Sequence, residues 1–176
     1  VALVFTANGI SGGTADQLSQ YVDLYERMED RRAKQIFAKA MHDAQVEMPV
    51  VVKDAQNPQT RSKFALLETV KKVAKPIYTK HGFSMNYGEA DCPLPGHKRT
   101  TCDVTHETGH KRTYHLDLPV DGVGAKGNAI GGMNAVQGAI STTSYAERRL
   151  CCMVWDITIA GEDDDGNASS APRIDG

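Results

Sequence analysis

RTTCDVTHETGHKRTYHLDL, residues 99–118, decides the fold class. Thr100, Cys102, Val104 and His106 alternate with Thr101, Asp103 and Thr105, the period of two of a strand with two unlike faces. Tyr114, Leu116 and Leu118 repeat the pattern from Lys111 to Leu118. Between them, Glu107-Thr108-Gly109-His110 reads as a hairpin turn in which Gly109 supplies a positive φ. Phe83–Tyr87, upstream of a Pro/Gly loop at Cys92–Gly96, is a third strand. Three antiparallel strands in a row are therefore expected.

Helical periodicity surrounds them. From Tyr21 to about Val46, Leu24, Met28, Ile36, Phe37, Ala40, Met41 and Ala44 recur at helical spacing, and Pro49 stops the run. Thr60 or Ser62 can cap a second helix with Phe64, Leu67, Val70 and Ala74 on its apolar face. Pro76 kinks or restarts that helix and Gly82 ends it. A last helix runs from Gln137 or Thr142 to about Ile157, with Ala146, Leu150, Met153, Val154 and Ile157 buried. The order helix, helix, three strands, helix predicts one α+β domain over residues 21–160, a three-stranded antiparallel sheet packed with helices. Residues 1–20 read as a flexible arm with a possible short strand at Val1–Phe5. The Gly-rich stretch 119–135 reads as a mobile loop, and the acidic 161–176 as the disordered start of a linker.

The chain has 176 residues and a net charge of -2, which hides an asymmetry. Residues 53–149 carry 14 Lys/Arg against 9 Asp/Glu, while 150–176 carry 1 against 6. A basic middle between acidic flanks suits a polyanion surface. No apolar run approaches the ~20 residues that span a bilayer. The start lacks a basic leader, and adjacent Cys151 and Cys152 suit reduced thiols, so a cytoplasmic protein is expected.

No positive case for an enzyme arises. The Gly122–Gly132 loop lacks the G-K-[ST] of a phosphate loop, and no G-x-S-x-G elbow occurs. The run Glu162–Asp165 fails the spacing of a calcium loop. Cys92, His97, Cys102, His106 and His110 are zinc-ligand types, but without a paired C-x2-C. A zinc-containing nucleic-acid enzyme remains one alternative reading, and a single-strand-protecting binder another. The basic set is more informative. Arg61, Lys63, Lys71, Lys72, Lys75 and Lys80 recur over one helical region. Lys98-Arg99 and Lys111-Arg112 flank the hairpin, and Arg148-Arg149 open the last helix. Phe64, Tyr78, Phe83, Tyr87, Tyr114 and Tyr145 are interleaved with them. Cations that follow phosphates beside aromatic faces that stack bases are what single-strand binding uses.

Four ordered blocks carry a resemblance: KDAQNPQTRSKFALL at 53–67, PIYTKHGF at 76–83, THETG at 105–109, and QGAISTTSYAERRL at 137–150 followed by GEDDDGN at 161–167. With them the chain resembles the ERF (essential recombination function) family of phage single-strand annealing proteins. The resemblance implies a β-β-β-α core like that of the eukaryotic strand-annealing mediator. It implies annealing of complementary strands in phage homologous recombination, without ATP, cofactor or catalytic residue, in the host cytoplasm. Homo-oligomeric rings or helical filaments are implied as well. The partners expected are single-stranded DNA, the annealed duplex intermediate, and a phage exonuclease or host single-strand binding protein, with no membrane. On the matched blocks, Arg61 and Lys63 are expected to contact phosphate, with Lys71, Lys75 and Lys80 behind them. Arg148 and Arg149 are expected at a groove floor, with Tyr145 stacking or packing beside them. Lys98, Arg99, Lys111 and Arg112 are expected on a groove wall. Glu147 departs from the family pattern, which has a basic residue there.

Overall fold

The structure, a computed structural model, describes residues 15–56, 63–120 and 135–160. The expected Val1–Phe5 strand, the Gly-rich loop beyond residue 120 and the acidic stretch 161–176 lie outside the described residues. In chain order the elements are α1 (Ala15–Val46), β1 (Ala55–Gln56), β2 (Lys63–Phe64), α2 (Leu67–Lys80), β3 (Phe83–Ala90), β4 (His97–His106), β5 (Lys111–Pro119) and α3 (Ala135–Trp155). This is the expected α+β architecture. A three-stranded antiparallel sheet of order β3-β4-β5 accompanies three helices, with β1 and β2 forming a separate antiparallel ribbon.

The hairpin forms between the two expected strands. Cys102 stands opposite both Tyr87 and Tyr114, and Val104 opposite Met85 and Arg112. Thr100, Cys102, Val104 and His106 are all buried, so this is the face that the helices cover. Gly109 has φ 86° in the turn. The other face is polar: Ser84, Asn86, Thr101, Asp103, Thr105, Thr113 and His115 line it.

Phe37, Met41 and Ala44 of α1, Val70 and Ala74 of α2, and Leu150, Cys151, Val154 and Trp155 of α3 meet that buried face. Trp155 is wholly buried. It stacks on Tyr78 at 5.2 Å and meets Phe83 edge-on at 5.2 Å. Phe83 in turn meets the Phe37 ring at 5.2 Å and 89°, which joins all three helices to the sheet through one aromatic chain.

Several expectations need correction. The first helix starts at Ala15, not Tyr21, so residues 15–20 of the expected arm are helical. Ala15-Asp16-Gln17-Leu18 favours helix, and Asp16 sits in the first turn, where the helix dipole is positive. Leu24 and Met28 do not share the buried face; they are 50% and 62% exposed. The second helix starts only at Leu67, with Leu66 at its N-cap and Lys63–Phe64 forming β2 before it; the expected caps Thr60 and Ser62 lie outside the described residues. Asp54 caps it from outside: Oδ1 accepts the Leu66 N–H at 2.9 Å, and Oδ2 accepts the Thr69 hydroxyl. Pro76 does not break α2, which runs on to Lys80. Met153 is 59% exposed, and Cys151, Cys152 and Trp155 are buried on α3 instead.

α3 ends by a 6→1 turn. Asp156 takes φ 52° and the Ile157 N–H reaches the Cys152 carbonyl at 3.0 Å. The chain then runs beside the segment after α1. Val51 and Ile159 form a parallel bridge, with Val51 N–H to Thr158 O and Ala160 N–H to Val51 O both at 2.9 Å. Nearby, the Gln45 amide donates to the Val154 carbonyl at 2.9 Å. These bonds clasp the exits of α1 and α3 together.

Candidate nucleic-acid interface

Burying Val70 and Ala74, four residues apart, turns Lys71, Lys72 and Lys75 of α2 outward. With Leu66, Leu67, Glu68, Pro76, Thr79 and Lys80 they line a shallow, open and mostly apolar groove. Leu66, Leu67 and Pro76 are its apolar residues, the four lysines its cations, and Glu68 is the one acid among the described residues that line it. Among the described residues, Lys72 and Lys75 make no ion pair, so their ammonium groups are available to an anion. Lys72 was part of the basic set in the sequence but not among the expected phosphate contacts. Its helical position relative to Val70 and Ala74 was the signal that could have ranked it.

The neighbouring cations are engaged. Lys71 Nζ lies 2.6 Å from Glu147 Oε2 and 4.7 Å from the centroid of the Tyr87 ring. Lys80 pairs with Glu47 at 2.9 Å. Glu47 also meets His81 Nε2 at 3.0 Å. The Lys80 hydrogen bond is the largest cause holding the Glu47 carboxyl below its ordinary range.

Arg148 is a structural tie. Its Nη1 donates to the Ala65 carbonyl at 2.8 Å, and its guanidinium sits 5.1 Å from the Phe64 ring and 5.0 Å from the Tyr145 ring. This joins α3 to the end of β2 by a charged hydrogen bond and one cation–π contact, with Phe64, while the contact with Tyr145 lies within α3. Tyr145 is 46% exposed, so part of its ring is open to a partner. Arg149 is partly buried and already has an interaction within the chain. Lys63 is exposed at the same ribbon, and Arg61 lies outside the described residues.

The hairpin cations divide between the two faces of the sheet. Arg99 and Lys111 lie on the polar face, Lys98 and Arg112 on the helix-covered one. Arg99 donates Nε and Nη2 to Asp117, its cross-strand partner, at 2.7 and 2.6 Å. That guanidinium holds the Asp117 carboxyl below its ordinary range. Lys111 reaches Asp103 at 3.0 Å, and the Thr113 hydroxyl donates to the same carboxylate at 2.6 Å. Lys98 pairs with Glu89 at 2.6 Å, and Arg112 lies 5.2 Å over the Phe37 ring. Each of the four already has a partner. The structure brings Lys71, Lys75 and Lys80 together on α2 and joins Arg148 to Tyr145; the hairpin set is not part of either group.

The zinc-type residues are scattered. Among the described residues no three His, Cys, Asp or Glu side chains stand together as metal ligands. His97 Nδ1 is 3.0 Å from the Pro95 carbonyl, His106 Nδ1 is 2.9 Å from the Thr108 hydroxyl, and His110 stands edge-on to Phe37. Burial pushes the Cys102 thiol up to about 12 and the Cys151 thiol up to about 11, which keeps both protonated at neutral pH. No described helix is long and apolar enough to cross a membrane.

A family model described as the ERF superfamily matches residues 37–173, which include α2, the sheet, α3 and the buried C-terminal end of α1. No curated protein and no solved structure matches the chain.

Proposed function

We propose, from the premise that this chain belongs to the ERF superfamily, that it binds single-stranded DNA along the outer face of α2 and pairs complementary strands there. The family is one of phage single-strand annealing and recombination proteins. The finer reading is ATP-independent annealing by an oligomeric ring or helical array of this chain.

One observation carries it: the α2 groove sets Leu66, Leu67 and Pro76 beside Lys72 and Lys75, which among the described residues make no ion pair. Annealing requires that two polyanions approach while base edges stay free. Lysines on phosphate achieve the first without reading sequence, and the apolar residues beside them accommodate sugar and base faces. Lys63 and the open part of Tyr145 extend the same chemistry toward the ribbon; Lys71, held by Glu147, contributes less. Each subunit contacts few nucleotides, so arrayed copies multiply weak contacts into a continuous track.

The test is an annealing assay with complementary labelled oligonucleotides in nucleotide-free buffer, alongside binding of a single strand. Faster pairing than the spontaneous rate, slowed by Lys72→Ala with Lys75→Ala, is expected. Tight binding without accelerated pairing would instead mean that the protein only protects the strand. Unchanged binding by the double variant would remove α2 as the DNA face.

A further inference from the structure

Residues 47–54 span α2 from end to end. Glu47 pairs with Lys80 at the C-terminal end of the helix at 2.9 Å, and Asp54 accepts the Leu66 N–H at its N-terminal end at 2.9 Å. Between them, Val51 bridges Ile159 in parallel, and its carbonyl accepts the Ala160 N–H at 2.9 Å. At Ala160 the chain therefore heads the same way as residues 51–54, along α2 from its Lys80 end toward its Leu66 end. After Gly161 come four consecutive carboxylates, Glu162, Asp163, Asp164 and Asp165. The single-strand reading of α2 leaves this run without a role.

We infer that this acidic run occupies the α2 groove when DNA is absent, its carboxylates on Lys72 and Lys75 where phosphates would otherwise sit. The inference rests on the reading of α2 as the DNA face and adds the regulation of that face. Reach allows it. Fully extended, residues 162–165 lie about 7–17 Å beyond Ala160 at roughly 3.4 Å per residue. Lys72, Pro76 and Lys80 share one row of α2, four residues apart, so the row is about 12 Å long at 1.5 Å per residue. That row begins at Lys80, which Glu47 ties to the same segment that Ala160 runs beside. Lys75 lies on the next row, and among the described residues neither it nor Lys72 makes an ion pair. Charge and tether together select the occupant. Among the described residues that line the groove, Glu68 is the one acid beside four lysines. The single residue between Ala160 and the run gives it an effective concentration on the order of millimolar at that face. A carboxylate run brings charge but no base faces to lie on Leu66, Leu67 and Pro76, so a single strand that spans the groove displaces it. The groove is then closed to short or sparse anions and open to a strand long enough to compete. Apparent affinity falls with the open fraction: a run in place about nine-tenths of the time weakens single-strand binding about tenfold.

Two measurements on the full chain test it. A variant with Glu162→Gln, Asp163→Asn, Asp164→Asn and Asp165→Asn removes the charge of the run and keeps its size. At low salt it should bind a single strand about three- to tenfold more tightly than the native protein. The gain should vanish when Lys72→Ala and Lys75→Ala are added, because changes that act on one contact are not additive. A gain that persists in that background reflects general repulsion of DNA and overturns the contact. Without DNA, a water-soluble carbodiimide should join Lys72 or Lys75 to a carboxylate of the run as an amide, which peptide mass spectrometry identifies. A saturating single strand should suppress that cross-link. Mixing with nitrogen-15-labelled chains should give cross-linked peptides of one label; mixed-label peptides place the run on a neighbouring copy and overturn the tethered contact. No cross-link to either lysine, while Lys34 links to Asp30, its partner at 2.6 Å, overturns the contact and leaves α2 standing as the DNA face. A cross-link that survives bound DNA, together with unchanged DNA binding by the Lys72→Ala, Lys75→Ala variant, overturns both.

Discussion

Lys71 Nζ sits 2.6 Å from Glu147 Oε2, so α3 neutralises a lysine at the edge of the groove that α2 offers to DNA. Replacing Glu147 by Gln removes the countercharge and keeps the side-chain size. Glu147→Gln should bind single strands more tightly at low salt. The slope of log affinity against log salt should steepen by about 0.7 if Lys71 then meets a phosphate. A fluorescence-anisotropy salt titration reads both; an unchanged slope would show that Lys71 stays on the Tyr87 ring.

Lys72 and Lys75 make the converse case. Removing both should shallow the same slope by about 1.4, two contacts at about 0.7 each, at little cost in stability because both are exposed. Lys34→Ala is the control. Lys34 is paired with Asp30 at 2.6 Å on α1, away from the groove, and its loss should leave the slope unaltered.

Arg148 should report on stability before affinity. Its hydrogen bond to Ala65 O ties the ribbon to α3, and losing a charged hydrogen bond of this kind costs about 1.5–3 kcal/mol. Arg148→Ala should lower the urea midpoint accordingly. Arg148→Lys should recover only a fraction, since an ammonium cannot lie flat between the Phe64 and Tyr145 rings as a guanidinium does. Full recovery by lysine would mean that charge alone matters there.

Stability should fall at both ends of the pH range. Arg99 holds the Asp117 carboxyl low, and the Thr113 hydroxyl followed by Lys111 does the same for Asp103. A depressed native pKa contributes stability above the unfolded value near 4 that is lost as pH drops through the native value. Asp117→Asn should therefore flatten the acid limb of a melting-temperature profile and lower its neutral plateau. The thiols act in the opposite sense. Cys102 and Cys151, pushed up to about 12 and about 11, favour the native state below the ordinary thiol pKa. That contribution is lost as pH rises from about 9 toward those values. At pH 8 the native protein should react with iodoacetamide at Cys92, the one cysteine that is not buried. Mass spectrometry identifies the labelled site.

The hairpin was legible in the sequence because strand faces alternate and Glu107–His110 announces its own turn. What was not legible depends on distant partners. Asp54 caps α2 from 12 positions before Leu66, where local capping rules point instead to Thr60 or Ser62. Leu24 and Met28 share helical periodicity with Phe37, but periodicity does not say which apolar side of a long helix meets the core. Likewise the basic residues were visible, whereas their availability was not. Glu147 lies 76 positions from Lys71, and Asp117 meets Arg99 only once β4 and β5 are in register.

The clasp between Val51 and Ile159 also sets an order of events. Gln45 and Val154 are 109 positions apart, and closing so large a loop from the unfolded chain is entropically expensive. The β4–β5 hairpin closes over a four-residue turn and can form early, as local contacts do. The hairpin and α2 shorten the effective loop before the exits of α1 and α3 can meet. During synthesis the clasp cannot close until Ile159 has left the ribosome. The helix that presents the lysines can therefore be complete while the two ends of the domain are still unjoined. The clasp is the step expected to be slowest to form and, on unfolding, among the first to open.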